Sequence, residues 1–164
     1  MITFRKAKLE DADQLGYVHY VSWIETYKGL ISDSYLNQRS PEKSAKMFER
    51  THCEHIFLAE ENQVVVGFIN YNPSTEEDLE HYGTIYALYV LKAHQGLGIG
   101  KKLMEYAISY FIKEGLRGVS LWVLDSNQQA ISFYEHMGFV SDGKTKEQVL
   151  GDVVTEIRMV KKLT

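Results

Sequence analysis

The hydrophobic and polar positions change period several times along the chain, and each change marks an element. "MITFRKA" alternates apolar and polar residues with the period of two expected of a strand covered on one face. "LEDADQLGYVHYVSWIETY" instead carries Leu15, Val18, His19, Val21 and Ile24 at near-helical spacing, with Asp11 or Asp13 available as a cap. A second helix is expected from Pro41, a residue suited to a first helical turn, to about Arg50. "HIFLAEENQVVVGFINYN" holds two β-rich runs separated by "EENQ", the pattern of a hairpin. The segment "PSTEEDLEHYG" after it reads as a polar, acidic loop.

"TIYALYVLK" has no clean alternation, as expected of a strand covered on both faces. From Ile99 to Lys113 the residues Leu103, Met104, Ala107, Ile108, Phe111 and Ile112 make one helical stripe, and "EGLRG" ends it. "VSLWVL" reads as another buried strand, "NQQAISFYEHMGF" as a short helix ending at Gly138, and "FVSDGK" with "DVVTEIRMVKKL" as a closing pair of strands. The order is β, helices, ββ, β, α, β, α, ββ. It predicts a single α/β domain over residues 1–164, built on a mixed central sheet flanked by helices.

Composition narrows the function. At 164 residues, 45% hydrophobic and 24% charged, the chain can bury a core without a disulfide or structural metal. No run approaches a membrane span, and "MITFRKAKLED" lacks the apolar centre of a signal peptide, so the expectation is a cytoplasmic protein with no membrane partner. The one cysteine, Cys53, excludes an internal disulfide. With His52 and His55 it lacks a second ligand pair at zinc spacing, so no metal site is expected. A net charge of −4 without a basic stripe argues against nucleic-acid binding.

The candidate chemistry begins at "HQGLGIGKKLMEYAI", where glycines punctuate the step from a strand into a helix. First-turn amides of such a helix lack intrahelical acceptors, and with the positive end of the helix dipole they favour an anion. Lys101 and Lys102 sit in that turn, where an anion would offset their unfavourable position against the dipole. Gly96 and Gly100 enclose three residues rather than the four of a P-loop, and Gly96, Gly98 and Gly100 do not have the dinucleotide-binding spacing. On these residues alone a phosphate cradle and a plain glycine turn both stay open. Further on, Asn127 can cap the next helix or aim its amide at a ligand, and Tyr134 can point into a crevice or pack half-buried.

"YVLKAHQGLGIGKKLM" resembles the acetyl-coenzyme A motif of the GNAT N-acetyltransferase superfamily, Gln/Arg-x-x-Gly-x-Gly/Ala, through Gln95, Gly98 and Gly100. "NQQAISFYEHMGF" resembles that superfamily's second motif through Asn127, Ala130, Phe133, Tyr134, Gly138 and Phe139. The resemblance implies the GNAT-like fold, with about seven strands and about four helices, and acetyl-coenzyme A as cofactor. It implies that Gln95, Gly96, Leu97, Gly98, Ile99, Gly100 and Lys101 hold the pyrophosphate. The strand edge at Leu88, Tyr89 and Val90 would pair with the pantetheine arm, Asn127, Ala130, Phe133 and Tyr134 would complete the cofactor site, and the two parallel strands should splay to admit the thioester. A backbone amide near Val90 would polarise the thioester carbonyl, and Tyr134 would be the acid for the departing sulfur.

The acceptor implied is a primary amine of a small molecule or peptide, in a pocket that Trp23, Tyr27 and Tyr86 would line. Thr84 stands where many relatives carry a glutamate base, and threonine cannot act as one near neutral pH. Glu80, His81 and Glu25 are the substitutes the sequence offers, or the acceptor amine needs no strong base. The acidic run Glu76 to Glu80 would favour a cationic acceptor such as a polyamine. A non-catalytic acyl-coenzyme A sensor is the alternative that Thr84 keeps open, and a homodimer is compatible with the sequence.

Overall fold

The computed structural model describes residues 1–163; Thr164, the last residue of the expected domain, lies outside the described residues. Among them, one mixed seven-stranded sheet runs in the order β1-β2-β3-β4-β5-β7-β6. β1 (Ile2–Lys6), β2 (Ile56–Glu61), β3 (Val64–Pro73) and β4 (Tyr82–Val90) pair antiparallel. β4 then pairs parallel with β5 (Gly118–Leu124), and β5 antiparallel with β7 (Asp152–Lys162), which carries β6 (Val140–Leu150) at the edge. α1 (Ala12–Tyr27), α2 (Asp33–Leu36) and α3 (Pro41–Arg50) precede β2, while α4 (Ile99–Lys113) and α5 (Gln128–His136) flank β5 in sequence. No helix among the described residues is long and apolar enough to cross a membrane.

Two cores form because strand side chains alternate between faces. On one face the stripe Leu103, Met104, Ala107 and Phe111 of α4 meets Ile85, Val119, Leu121 and Met159. On the other, Leu15 and Val18 of α1 and Phe48 of α3 meet Ile56, Leu58 and Phe68, and Cys53 is buried among them. A third, smaller cluster joins Ile31 and Leu36 to Leu124 and Leu150, beside Trp23, Tyr27 and Tyr35.

Four local details differ from the sequence expectation. The β2–β3 turn is only Asn62-Gln63, both with positive φ, so Glu60 and Glu61 stay in the strand. Asp11 does not cap the amides of α1; its carboxylate accepts from Lys8 N at 2.7 Å and pairs with Arg5 at 2.8 Å, which holds it below its ordinary pKa. α2 is an additional helix, too short at four residues to show a period, with Ser32 accepting from Tyr35 N. The acidic loop contains a 3-10 turn, Glu77–Leu79, anchored by buried Leu79. There Arg158, 4% exposed, gathers Glu76, Asp78 and Asp142 within 3.2 Å. The acidic run is therefore partly neutralised.

α1 and α3 approach closely at Gly16, where an added Cβ would lie 2.6 Å from Ala45 N. One turn later His19 Nδ1 and Ser44 Oγ are 2.8 Å apart, and the ring packs edge-on to Phe48 and Tyr89. Burial, reinforced by the charge of Arg39, lowers the His19 pKa from 6.5 to about 4. The folded protein thus accommodates the neutral ring and resists the charged one. Stability should be full above the unfolded value near 6.5 and fall as pH drops toward about 4, by up to about 3 kcal/mol. Urea midpoints at pH 7 and 4.5 check this: His19→Gln should lose less on acidification than the wild type.

Candidate active site

The site begins with an irregularity in β4. Asn70 pairs with Ala87 but Tyr71 pairs with Ile85, so Tyr86 is an extra residue, a β-bulge. The bulge reverses the alternation: Ile85 belongs to the α4 face, whereas Ala87 and Tyr89 face the α1 side. It also coincides with the end of the β4–β5 pairing, which runs from Tyr82↔Gly118 to Ile85↔Leu121 and stops. Both strands continue, to Val90 and Leu124, with a gap between them. Leu91 N donates to Val66 O at 2.9 Å, so by the alternation of an antiparallel ladder Tyr89 bonds toward β3. Leu88 and Val90 therefore turn their N–H and C=O groups into the gap. Gln95 Nε2 donates to Val90 O at 3.0 Å, leaving the Val90 N–H unengaged on that side.

The turn after β4 opens onto the same gap. Gly96 and Gly98 have φ of +81° and +80°, where a side chain is strained, and a Cβ at either would meet no protein atom within 4 Å. The first amide of α4 to find a helical acceptor is Lys102 N, on Gly98 O at 3.1 Å. The amides of Ile99, Gly100 and Lys101 point past the helix end, as helix geometry requires. Successive amides around two left-handed glycines make a concavity at the positive helix end of the kind that suits an anion. The two lysines divide: Lys101 lines the cavity, whereas Lys102 Nζ sits over the Phe4 ring, 5.3 Å from its centroid. His94, beside the turn, holds Glu61 Oε1 at 3.2 Å through Nε2.

α5 supplies the far wall. Asn127 Oδ1 accepts from Ala130 N at 3.2 Å, so the asparagine caps the helix. A Cβ on Gly100 would lie 3.5 Å from Phe133 Cζ, which shows how closely α4 and α5 approach. Tyr134 packs edge-on to Phe133 and Phe139. Burial, with a contribution from Tyr27, pushes its phenol pKa up, and burial does the same to Tyr89 and Tyr27, whose hydroxyls interact. All three phenols hold their protons at neutral pH.

These pieces enclose one cavity of about 540 Å³, within the usual range of small-molecule sites. Its wall brings together Leu88, Tyr89, Val90, Gln95, Gly96, Gly98, Ile99, Gly100, Lys101, Asn127, Ala130, Phe133 and Tyr134, and from the acceptor residues Tyr27 and Tyr86. Three expected residues stay out of the wall. Leu97 projects into solvent at the crest of the turn. Trp23 packs against Tyr27 and Tyr35 under the Arg39 guanidinium. Thr84 lies in the closed part of the sheet, buried, with its hydroxyl 3.1 Å from Ser120 Oγ.

Of the substitute bases, Glu80 and His81 precede β4 at the end away from the gap, and Glu25 is in the wall. Ser22, Thr26, Lys92, His94, Trp122 and Gln129 also line it, and the sequence reading did not assign them to the site. For Ser22 a signal existed: it precedes Glu25 by three residues, one face of a helix.

Residues 10–139 match the acetyltransferase (GNAT) family. YuaI of Bacillus subtilis (strain 168), an uncharacterised N-acetyltransferase, is 30% identical over 136 residues, 82% of this chain and 78% of its own length. An uncharacterised N-acetyltransferase of Archaeoglobus fulgidus is 30% identical over 132 residues, 79% of this chain and 87% of its own. The crystal structure of PaiA N-acetyltransferase from Thermoplasma acidophilum in complex with coenzyme A superposes with a TM-score of 0.79 at 25% identity, over 99% of each chain. If the glycine turn is the anion cradle, Gly98→Val should leave the protein folded and abolish coenzyme A binding by isothermal calorimetry. Affinity within threefold of wild type would remove the turn from that role.

Proposed function

The chain belongs to the GNAT acetyltransferase family, and on that premise we propose that it transfers an acetyl group from acetyl-coenzyme A directly to the primary amine of a small molecule or peptide. The observation that carries this reading is the convergence, in one cavity, of orphan helix amides, an unpaired strand edge and the Tyr134 phenol. The fit to the cofactor is chemical. A diphosphate matches the amides from Gly96 to Lys101, and a pantetheine arm, which carries two amides, matches the open edge of β4 at Leu88, whose N–H and C=O both turn into the gap. The Thermoplasma relative, solved with coenzyme A, supports the same assignment.

Bound acetyl-coenzyme A supplies an activated thioester: the amine nitrogen bonds to its carbonyl carbon, the carbon–sulfur bond breaks, nitrogen gives up a proton and sulfur gains one. In this reading Val90 N–H faces the oxygen that becomes negative, and it is free to do so because β4 and β5 no longer pair beyond Ile85. Tyr134, held protonated by its surroundings, donates to the departing sulfur. Its high pKa makes it a weak acid, so it acts as a standing hydrogen-bond donor whose proton is replaced from the amine. Phe133 and Phe139 fix the ring. Cys53, buried in the second core, has no part in the transfer.

The test is thiol release from acetyl-coenzyme A across amino acids, aminosugars, polyamines, simple monoamines and peptide N-termini. At least one amine should be acetylated, and cofactor binding without turnover on any of them would overturn the reading. With a working acceptor, Tyr134→Phe should lower kcat tenfold or more and leave coenzyme A affinity within twofold. An unchanged kcat would remove Tyr134 from the chemistry.

A further inference from the structure

The cavity has two electrically different ends. Around the glycine turn its wall carries Lys92, His94 and Lys101, the end suited to phosphates. On the α1 side the wall is Ser22, Glu25, Thr26 and Tyr27, and Glu25 is the one carboxylate in the cavity wall among the described residues. Ser22, Glu25 and Thr26 stand at i, i+3 and i+4 and so share one face of α1. That face is polar where a helix packed on a core would be apolar. Ser22 is 4% exposed, yet its hydroxyl has no hydrogen-bond partner among the described residues. A buried hydroxyl left unpaired is costly, and here it belongs to the cavity wall.

The carboxylates around this end differ from Glu25 in having cations of their own. Glu76, Asp78 and Asp142 converge on Arg158, and Glu156 faces Lys146 at 3.9 Å. Glu25 makes no ion pair among the described residues. The remaining surface at this end is aromatic, formed by Tyr27, Tyr86, Tyr89 and Trp122. Lys146 Nζ already lies over the Trp122 ring, 4.3 Å from its centroid, so the tyrosine rings are the ones whose faces can attract an ammonium and whose area suits an apolar body.

Resting on the acetyl-transfer reading above, we propose that the acceptor is a primary monoamine on an apolar, preferably aromatic body, with Glu25 drawing in its ammonium, which loses a proton to Glu25 or water before its nitrogen attacks the thioester, and the Tyr27 and Tyr86 rings receiving the body. Ser22 and Thr26 then serve a hydroxyl or N–H on the same molecule. Three exclusions follow from the same inventory. A polyamine brings a second ammonium for which no unpaired carboxylate lines the wall. An amino acid brings a carboxylate to an end whose one charged wall side chain is itself negative and whose flanking cations, Lys146 and Arg158, are already paired with carboxylates. A phosphorylated aminosugar meets the same repulsion. The acidic run Glu76 to Glu80, which by sequence alone favours a polycation, has Glu76 and Asp78 occupied by Arg158.

The experiment compares 2-phenylethylamine with phenylalanine, which differs only by the carboxylate, and with spermidine, using thiol release from acetyl-coenzyme A. The expected kcat/KM for 2-phenylethylamine is at least tenfold above both. Glu25→Gln should raise its KM at least fivefold with coenzyme A affinity unchanged, and Glu25→Asp should recover part of the loss. A preference for spermidine or phenylalanine, or an unchanged KM in Glu25→Gln, overturns the proposal while acetyl transfer stands. Thiol release with no amine at all, in protein that still binds coenzyme A, overturns the transfer reading and this inference with it.

Discussion

The rest of the site depends on one backbone constraint: β4 cannot stay paired to β5 beyond Ile85. Tyr86 is one residue too many for the β3–β4 ladder, and accommodating it rotates the strand by one alternation and bends it away from β5. Three consequences follow together. The backbone groups of Leu88 and Val90 lose their neighbour and become available to a ligand. The side chains of Ala87 and Tyr89 move to the α1 face. A passage opens through the sheet, so that a ligand held at α4 on one face can be reached from α1 on the other. A regular strand at this place would fill the gap with its own hydrogen bonds, and the glycine turn would lead to nothing.

Electrostatics then distinguishes the two mouths of the passage. At the α4 end the field comes chiefly from main-chain amides, which glycine exposes, with Lys101 as the side-chain supplement. Lys102, adjacent in sequence, is drawn to the Phe4 ring and stabilises the β1 edge instead. At the α1 end the field is that of a carboxylate among aromatic rings. Between them stands the Tyr134 phenol, whose proton is held by burial, so the middle of the passage is neutral. A neutral centre between a cationic and an anionic end suits a reaction that joins an anionic carrier to a cationic acceptor. The Arg158 network ties the turn before β4 to β6 and β7 through one buried guanidinium shared by three partly exposed carboxylates.

How much of this the sequence discloses depends on the range over which each feature is encoded. The seven strands and four longer helices are legible because their periods or β-rich apolar runs persist for five residues or more, and α2 is not because four residues carry no period. The glycine turn and the α5 residues are legible because each is a contiguous stretch whose geometry is local. The bulge is not, since an extra residue is defined only against the partner strand, and "TIYALYV" looks continuous. Trp23 fails as a pocket residue for a similar reason: Arg39 and Tyr35, distant in sequence, claim its ring. Ser22, His94 and Trp122 belong to the wall only because separate segments meet there.

The bulge also explains why a threonine at position 84 does not argue against catalysis. Thr84 pairs with Ser120 inside the last closed stretch of the β4–β5 ladder, and both side chains are buried and hydrogen-bonded to each other. A carboxylate there would be desolvated beside a neutral hydroxyl, with no cation to compensate, and would favour its protonated form. It would serve poorly as a base and destabilise the sheet at the point where the strands must stay joined. In this chain the boundary between closed and open sheet falls after residue 85, so a group that handles the amine's proton has to come from the α1 side or from the acceptor itself. The pairing of Thr84 with Ser120 thus closes the sheet just before the gap, and in the proposed reaction the task of receiving the amine falls to the α1 side.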